Sequence, residues 1–332
     1  MKHVLVTGAN GYIGRALARA LAKRLASGEI QGLTLADLAL DDQALHHKPG
    51  VRLVTGDLCD STVLDAALAS APDTVFHLAS VTSRRAEENF ELGLRVNLEG
   101  AVALFEHLRR QEQCPVVVFA SSIGVFGTPL PGQVDDDTQP APTLSYGTQK
   151  LMVELLLADY SRRGWLDGRS VRLPTVVARP AAAETALSSF ASSLIRALAE
   201  KSPYNCPIGP EGWMWLLSLP ACIEHLMRAA LVENTRLPAS RTWNLPAQRI
   251  QVAELLRAAR SRYGPSADAA LRFQPQPQLE KQFAQWPPLT TSTAARLGMY
   301  HDGDADTLIE RALASEARAY CPDPTTKERI SS

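Results

Sequence analysis

Short apolar runs alternate with longer amphipathic stretches through the first half of the chain. The apolar runs, which predict β-strands, cover residues 3–7, 32–38, 51–58, 73–80, 114–122 and 169–180. Amphipathic stretches at 12–25 and 88–111 predict helices between strands. Strands that are apolar throughout are covered on both faces, and their alternation with helices implies right-handed crossovers in a parallel sheet. The pattern therefore predicts an α/β fold with a Rossmann-type, doubly wound parallel sheet.

The pattern loosens in the second half, where prolines break the chain into short pieces. Helical patterns remain at about 186–200, 220–233 and 251–263. We therefore predict a larger domain over 1–180 and a smaller α/β domain over 181–325, partly interleaved with the first. The polar end from about Pro322 is expected to fray.

Composition excludes several classes of protein. The 332 residues are 45% hydrophobic and 21% charged, which is ordinary for a soluble globular protein. The formal net charge of -1 does not indicate the excess of positive charge that is typical of nucleic-acid binding. The five cysteines form no CxxC pair and the histidines show no metal-ligand spacing, so we expect neither a disulfide framework nor a metal. No apolar run reaches the ~18 residues of a membrane span, and the start lacks a signal-peptide pattern. We expect a cytoplasmic protein.

Three glycines lie at the junction between the first predicted strand and the first predicted helix. Gly8, Gly11 and Gly14 are spaced so that the backbone can approach a pyrophosphate, which the helix N-terminus would stabilise. Asp37, at the end of the second strand, suits a ribose 2′-hydroxyl and repels a 2′-phosphate. No arginine or lysine follows it until Lys48. The stretch predicts a dinucleotide site that prefers NAD to NADP.

Further cofactor contacts are expected at the strand ends, because ligands of such sheets bind outside the carboxyl ends of the strands. Asp57 and Leu58 end the third strand, although Asp57 could instead be a turn residue. Leu78, Ala79 and Ser80 end the fourth strand, where Leu78 and Ala79 could instead belong to the core.

The stretch "SYGTQK" places Tyr146 four residues before Lys150, so both side chains would share one face of a helix. That spacing alone is common. Its chemistry becomes informative beside a nicotinamide site, because an ammonium group nearby lowers the pKa of a tyrosine from about 10. A tyrosine tuned in this way could take a proton from a substrate hydroxyl.

Taken together, six motifs resemble the extended short-chain dehydrogenase/reductase family, also described as NAD-dependent epimerases/dehydratases. They are "TGANGYIG" (7–14), "GDL" (56–58), "HLAS" (77–80), "VNLEG" (96–100), "FASSIGVFG" (119–127) and "SYGTQK" (145–150). The resemblance implies that Tyr146 is the catalytic acid/base, Lys150 its partner and Ser122 the third catalytic residue. It also implies that Asn97 orders the active centre. The further cofactor contacts expected on this basis are Tyr12, Ile13, Asn97, Ser121, Tyr146, Lys150, Pro174 and Val176. Phe126 and His77 are expected to be structural.

The rest of the chain bears on the substrate. It lacks the "RDFIxVxD" and "NxYGP" segments of nucleotide-sugar enzymes, whereas residues 151–180, 188–199, 243–247 and 273–299 resemble the D-erythronate dehydrogenase subfamily. That resemblance implies NAD-dependent oxidation of the C2 hydroxyl of a small sugar acid to the 2-oxo acid. A nucleotide-sugar epimerase/dehydratase remains the alternative, and a non-catalytic dinucleotide sensor ranks last. The family also implies a homodimer, built on the helices near 88–111 and 148–163.

Two segments depart from the subfamily pattern beside the expected substrate pocket, at 83–86 and 181–184. Candidate substrate residues are Ser83, Arg84, Ser122 and Arg179. A guanidinium can bind a carboxylate in bidentate fashion, although surface charge for Arg84 and a structural pair for Arg179 are equally good interpretations. Ser188, Ser189, Trp213 and Trp215 are possible pocket residues, and such tryptophans are more typical of a domain-interface core.

Overall fold

A computed structural model describes residues 1–179 and 187–320. The strands are β1 (His3–Thr7), β2 (Gly32–Asp37), β3 (Val51–Thr55), β4 (Thr74–His77), β5 (Val116–Ser122), β6 (Asp167–Leu173), β7 (Thr175–Val177), β8 (Tyr204–Cys206), β9 (Trp213–Ser218), β10 (Thr242–Asn244), β11 (Gln248–Gln251) and β12 (Leu271–Phe273). The helices are α1 (Tyr12–Ala26), α2 (Gln43–His46), α3 (Ser61–Leu68), α4 (Ser83–Glu88), α5 (Phe90–Gly93), α6 (Gly100–Arg110), α7 (Ser145–Arg162), α8 (Phe190–Glu200), α9 (Leu219–Leu231), α10 (Val252–Tyr263), α11 (Pro277–Phe283), α12 (Ser292–Arg296) and α13 (Ala305–Tyr320).

The main sheet has seven strands in the order β3-β2-β1-β4-β5-β6-β10, and every pair in it is parallel. The strand order reverses between β1 and β4, which creates the crevice where ligands of doubly wound sheets bind. This topology confirms the predicted Rossmann-type α/β fold. The seventh strand, β10, comes from the second half of the chain.

The single strand predicted over 169–180 is wrong. Strand β6 ends at Leu173, and after Pro174 the chain turns into β7, which belongs to a different sheet of order β11-β9-β7. Proline has no N–H to donate and a fixed φ, so it ends the ladder of the main sheet at this point. At this break the chain leaves the edge of the crevice and enters the smaller second sheet.

The long helix predicted over 88–111 is divided into several pieces. After α4, the side chain of Asn89 accepts a hydrogen bond from the Leu92 N–H and caps α5. A six-residue π-helix, Leu94–Glu99, then leads into α6. Such π turns are rare and tend to occur at functional sites. Here the π turn contains Asn97, which is buried.

Apolar side chains cover both faces of the main sheet. On one face, α1 and α9 contribute Leu17, Leu21 and Leu226. On the other, α3, α6 and α7 contribute Leu64, Phe105 and Leu157. Each such side chain contributes roughly 1.5–3 kcal/mol by leaving water, so the two layers hold the strand ends in fixed positions around the crevice.

Candidate functional site

The glycine turn packs directly against the end of β4. Gly8 has a φ of 71°, and a Cβ there would lie 2.5 Å from the Ala79 backbone nitrogen. A Cβ at Gly14 would lie 2.0 Å from the Gly8 carbonyl oxygen. Only glycine fits at these two positions, so the turn stays tight and its backbone stays open to a ligand.

Helix α1 begins at the crevice with Gly11 as its N-cap, and no side chain caps it. The first N–H groups of a helix have no partner inside the helix, and the helix dipole makes this end positive. A pyrophosphate fits both properties. Tyr12 and Ile13 are the first two residues of this helix. The Tyr12 hydroxyl donates to the Ala178 carbonyl, 2.9 Å away, across the crevice.

Asp37 ends β2 beside the glycine turn, as predicted for a residue that binds the ribose. Its carboxylate accepts hydrogen bonds from the backbone N–H groups of Asn10, at 2.8 Å, and Leu38, at 2.7 Å. Burial raises the pKa of Asp37, and these hydrogen bonds and the Arg15 guanidinium oppose that rise. The carboxylate is thus held in place next to the turn.

Sequence reasoning missed a second acid and a cation at this place. Arg15, on α1, donates to the Asn10 carbonyl (2.8 Å) and pairs with the Asp41 carboxylate (3.1 Å). Asp41 also accepts from the Asn10 side chain at 3.1 Å. Lys48 was the nearest cation after Asp37 in sequence, but the fold brings Arg15 from 22 positions upstream. No spacing rule would have indicated this pairing.

The strand-end residues divide into two groups. Asp57 pairs with Arg95 at 2.9 Å and accepts from the Cys59 N–H at 2.9 Å, which fits the turn interpretation. Leu58 is buried in the core. Leu78 and Ala79 follow β4 beside the glycine turn and are partly buried.

Asn97 fixes the loop that follows β4. Its side-chain oxygen accepts from the Ser80 hydroxyl (2.9 Å) and the Val81 N–H (2.8 Å). Its side-chain nitrogen donates to the buried Gln149 on α7 at 2.7 Å. Asn97 thus connects the π-helix with the loop after β4 and with α7.

Tyr146 and Lys150 lie on the first turns of α7. A Cβ at Gly147 would lie 2.3 Å from the Gly124 carbonyl oxygen, so this glycine lets α7 approach the turn that follows β5. Burial raises the pKa of Tyr146, whereas the positive charge of Arg179 and the nearby hydroxyl groups of Ser122 and Ser80 act in the opposite direction.

Lys150 is almost fully buried behind Tyr146. Its Nζ donates to the Ala120 carbonyl at 2.8 Å and lies 5.5 Å from the centroid of the Tyr146 ring. Burial lowers its pKa to about 7, and the Glu154 carboxylate resists that fall.

The two serines at the end of β5 point to different partners. Ser122 is partly exposed, and its hydroxyl accepts from the Gly124 N–H at 3.1 Å. Ser121 is buried, and its hydroxyl donates to Glu154. Ser122 is therefore the serine whose hydroxyl stands beside Tyr146.

A cavity opens beside these groups. Its lining includes Ser83, Ser122, Tyr146, Arg179, Ser188 and Trp286. Ile13, Pro174 and Val176 line its cofactor side. Arg179 is the only charged side chain in this lining among the described residues, and its guanidinium lies 5.6 Å from the centroid of the Tyr12 ring.

Other predicted pocket residues lie elsewhere. Arg84 is exposed on α4 and is not part of the lining, nor is Ser189. Trp215 is fully buried and packs against Trp286 with the ring planes tilted and the ring centroids 4.5 Å apart, which is the core role expected for it. The altered segment 181–184 lies outside the described residues.

One wall of the cavity was not predicted from the sequence. Gln282, Phe283 and Trp286 reach it from α11 and the segment that follows. Two hydrogen bonds hold this segment against β9: the Trp213 backbone N–H donates to the Ala284 carbonyl at 2.8 Å, and the Trp215 indole donates to the Pro287 carbonyl at 2.8 Å. The sequence separation of about 70 residues concealed the contact.

Within residues 1–179 and 187–320, no group of three His, Cys, Asp or Glu side chains is placed to hold a metal ion. The same part of the chain contains no helix that is long and apolar enough to span a membrane.

Comparison with known proteins agrees with this site. Residues 4–213 match the model of the NAD dependent epimerase/dehydratase family, and the chain belongs to that family. It is 40% identical to a D-erythronate dehydrogenase of Cupriavidus necator, with 97% of this chain and 98% of that protein covered. It is 32% identical to a D-erythronate dehydrogenase of Haemophilus influenzae, with 93% and 98% covered.

A solved structure of a nucleoside-diphosphate-sugar epimerase from Agrobacterium tumefaciens superposes with a TM-score of 0.89 at 31% identity, covering 96% of this chain and 95% of that one. Family membership makes the protein an NAD-dependent enzyme and confirms the cofactor predicted from the sequence. The open glycine turn, the uncapped start of α1 and Asp37 are chemically suited to that cofactor.

Proposed function

We propose that the protein is a dehydrogenase that oxidises the C2 hydroxyl of a small sugar acid, of which D-erythronate is the leading candidate, to the 2-oxo acid. The observation that carries the proposal is that Tyr146 and Ser122 line one cavity, with Lys150 buried behind Tyr146, and that Arg179 is the one charged residue in the described lining. The two D-erythronate dehydrogenases to which nearly the whole chain is similar support this choice of substrate.

NAD, when bound, accepts the two electrons and the hydrogen that leave the carbinol carbon. Tyr146 takes the hydroxyl proton, since its oxygen lies in the cavity wall next to Ser122. Ser122 positions the substrate oxygen by hydrogen bonding. The Lys150 ammonium stabilises the phenolate of Tyr146 and, through its bond to Ala120, stays fixed relative to β5.

Arg179 supplies the charge that a sugar acid needs. A carboxylate accepts two parallel hydrogen bonds from a guanidinium, which fixes the orientation of the acid as well as its position. Hydroxyl groups of Ser83 and Ser188 in the same lining can bond to the remaining hydroxyls of the substrate. Phe283 and Trp286 form the apolar end of the cavity, which favours a short substrate.

The test is a panel of aldonic acids of three to six carbons, each incubated with NAD or NADP while the absorbance of the reduced nicotinamide is followed. We expect turnover of a four-carbon acid with NAD and much slower turnover with NADP. Absence of turnover on every aldonate, together with activity on a nucleotide sugar, would contradict the proposal.

The likeness to a nucleoside-diphosphate-sugar epimerase supports a second candidate, an epimerase that retains its cofactor. A nucleotide diphosphate needs several cations, and the described lining of the cavity offers Arg179 alone. The epimerase would keep NAD through desalting, interconvert its substrate and release no reduced cofactor. These three observations separate it from the dehydrogenase.

We also propose that the protein acts as a homodimer in the cytoplasm. Phe90, Val102, Met152 and Leu155 expose apolar side chains on α5, α6 and α7, the helices on which the family resemblance places the dimer interface. Leu155 is 65% exposed in the single chain. Sedimentation of Leu155→Glu against the parent protein tests the interface, since a dimer formed there would dissociate.

A further inference from the structure

The side chains of α7 contact three successive residues of β5. Lys150 donates to the carbonyl of Ala120, Glu154 accepts from the hydroxyl of Ser121, and Tyr146 lies beside Ser122 in the lining of the cavity. The three helix residues are spaced four apart, so they lie on one face of α7. Glu154 is thus the third residue of a row on α7. The first, Tyr146, lines the cavity, and the second, Lys150, is buried behind it.

Glu154 is also held by Arg172, a residue of the neighbouring strand β6. Arg172, on β6, donates from its Nε and from a terminal nitrogen to both carboxylate oxygens, at 3.0 and 2.8 Å. The side chains of Glu154 and Arg172 are only 3% and 7% exposed. A buried carboxylate with three donors has a fixed orientation, and removal of one partner would leave an uncompensated charge.

We propose, on the basis of the function proposed above, that Glu154 is a positioning residue of the active site, which aligns the end of β5 with α7 through Ser121 and places a carboxylate one helical turn from Lys150. The geometry points to this role because Glu154 lies one turn beyond Lys150, on the same face. Its carboxylate is the acid that raises the pKa of Lys150 against the effect of burial.

The described ionisable residues around Lys150 include Tyr146, His77, Arg172 and Glu154, and Glu154 is the carboxylate among these four. On α7, Tyr146 is the neighbour on the opposite side. On β4, His77 is buried with its pKa lowered to about 3, so it is neutral near pH 7. On β6, Arg172 pairs with Glu154 and adds positive charge. Loss of the Glu154 charge would therefore lower the pKa of Lys150, both directly and by exposing it to Arg172.

The test titrates Lys150 directly. The full-length protein is labelled with ¹³C at the lysine Cε, the Lys150 resonance is assigned by its loss in Lys150→Arg, and its shift is followed against pH. We expect Glu154→Gln to move the midpoint of Lys150 to lower pH. The matched control is Asp159→Asn, on the same helix, which removes an exposed carboxylate that pairs with Arg162 and Arg163; it should leave the midpoint unchanged.

A midpoint in Glu154→Gln equal to that of the parent protein, or an equal shift in Asp159→Asn, would overturn the proposal. If Glu154→Gln does not fold because Arg172 is left unpaired, Glu154→Gln with Arg172→Met removes both buried charges and should still lower the midpoint. This titration needs no substrate, so it stands even if no sugar acid is turned over, whereas that absence would refute the proposed function alone.

The alignment half of the proposal is tested by Ser121→Ala. It removes one hydrogen bond to Glu154 and keeps the pair with Arg172, so we expect kcat to fall about three- to tenfold while the Lys150 midpoint stays in place. A kcat equal to that of the parent protein would show that Ser121 and Glu154 do not align Ser122.

Discussion

The Lys150 ammonium lies 5.5 Å from the centroid of the Tyr146 ring, and both side chains are held at the end of β5. The lysine is buried and bonded to a backbone carbonyl, so its position is set by the sheet and not by solvent. The Tyr146 side chain lies near the hydroxyl groups of Ser122 and Ser80. Positive charge from Lys150 and from Arg179 favours the phenolate form of Tyr146.

Replacement of Tyr146 by phenylalanine tests the proposed proton acceptor. Tyr146→Phe should lower kcat by about 10²–10⁴-fold, the range for a general acid/base, while the Kd of NADH stays within about twofold. Tyr160→Phe is the matched control, because Tyr160 lies on the same helix and bonds to Glu106 away from the cavity. Equal loss in both variants would assign the effect to the helix and not to the hydroxyl.

Arg179 is the proposed site for the substrate carboxylate. Arg179→Gln should raise KM for the sugar acid about 10- to 100-fold, since charge-assisted hydrogen bonds contribute about 1.5–3 kcal/mol. Arg84→Gln, on the exposed face of α4, should leave KM unchanged. Steady-state kinetics on both variants decides the point, and a normal KM in Arg179→Gln would remove this residue from substrate binding.

Asp41 should contribute to the preference for NAD, because it neutralises the Arg15 cation beside Asp37. Asp41→Asn should tighten NADPH binding about two- to fivefold, the scale of an exposed ion pair, with little change for NADH. In an Arg15→Gln background the same change should have no effect on NADPH. Fluorescence titration of the four proteins measures the coupling, and an identical gain in both backgrounds would exclude Arg15 as its source.

His77 should make the fold sensitive to acid. It is buried between Phe105 and Phe119, hydrogen-bonded to Thr7 at 2.7 Å, and burial lowers its pKa from 6.5 to about 3. The unfolded chain therefore binds a proton that the folded protein does not, and stability falls as pH drops from 6.5 towards 3. The loss at pH 5 is roughly 2 kcal/mol.

Urea unfolding at pH 7.5, 6.5 and 5 measures this loss. In His77→Asn, which keeps a polar group next to Thr7, the dependence on pH should be weaker by about that amount. His47→Asn, at an exposed histidine, should behave like the parent protein. An unchanged dependence in His77→Asn would show that other groups cause the acid sensitivity.

Much of the fold and of the reaction chemistry could be predicted from local sequence. Alternating strand and helix patterns indicate a parallel sheet, and the "TGANGYIG" and "SYGTQK" stretches are each built within one turn and one helix. Each stretch could therefore be recognised without knowledge of the fold. Asp37 was predicted because it ends a predicted strand after the glycine turn, and Ser122 because "FASSIGVFG" resembles the family motif.

The remaining features depend on contacts that no local pattern contains. Arg15 reaches Asp41 from another element, and Phe283 and Trp286 enter the cavity through a segment docked on β9. The π-helix at Leu94–Glu99 has a helical composition and was predicted as ordinary helix. Pro174 was visible in the sequence, but its effect, the transfer of the chain from one sheet to another, required the topology.

Isotope transfer from the substrate tests the central claim most directly. D-Erythronate labelled with deuterium at C2 is incubated with the protein and NAD, and the reduced cofactor and the acid are analysed by mass spectrometry. The account predicts deuterium in the reduced cofactor, in a one-to-one ratio with the 2-oxo acid, in the parent protein and none in Tyr146→Phe. Unlabelled reduced cofactor, or deuterium retained in an isomerised acid with no reduced cofactor released, would contradict it.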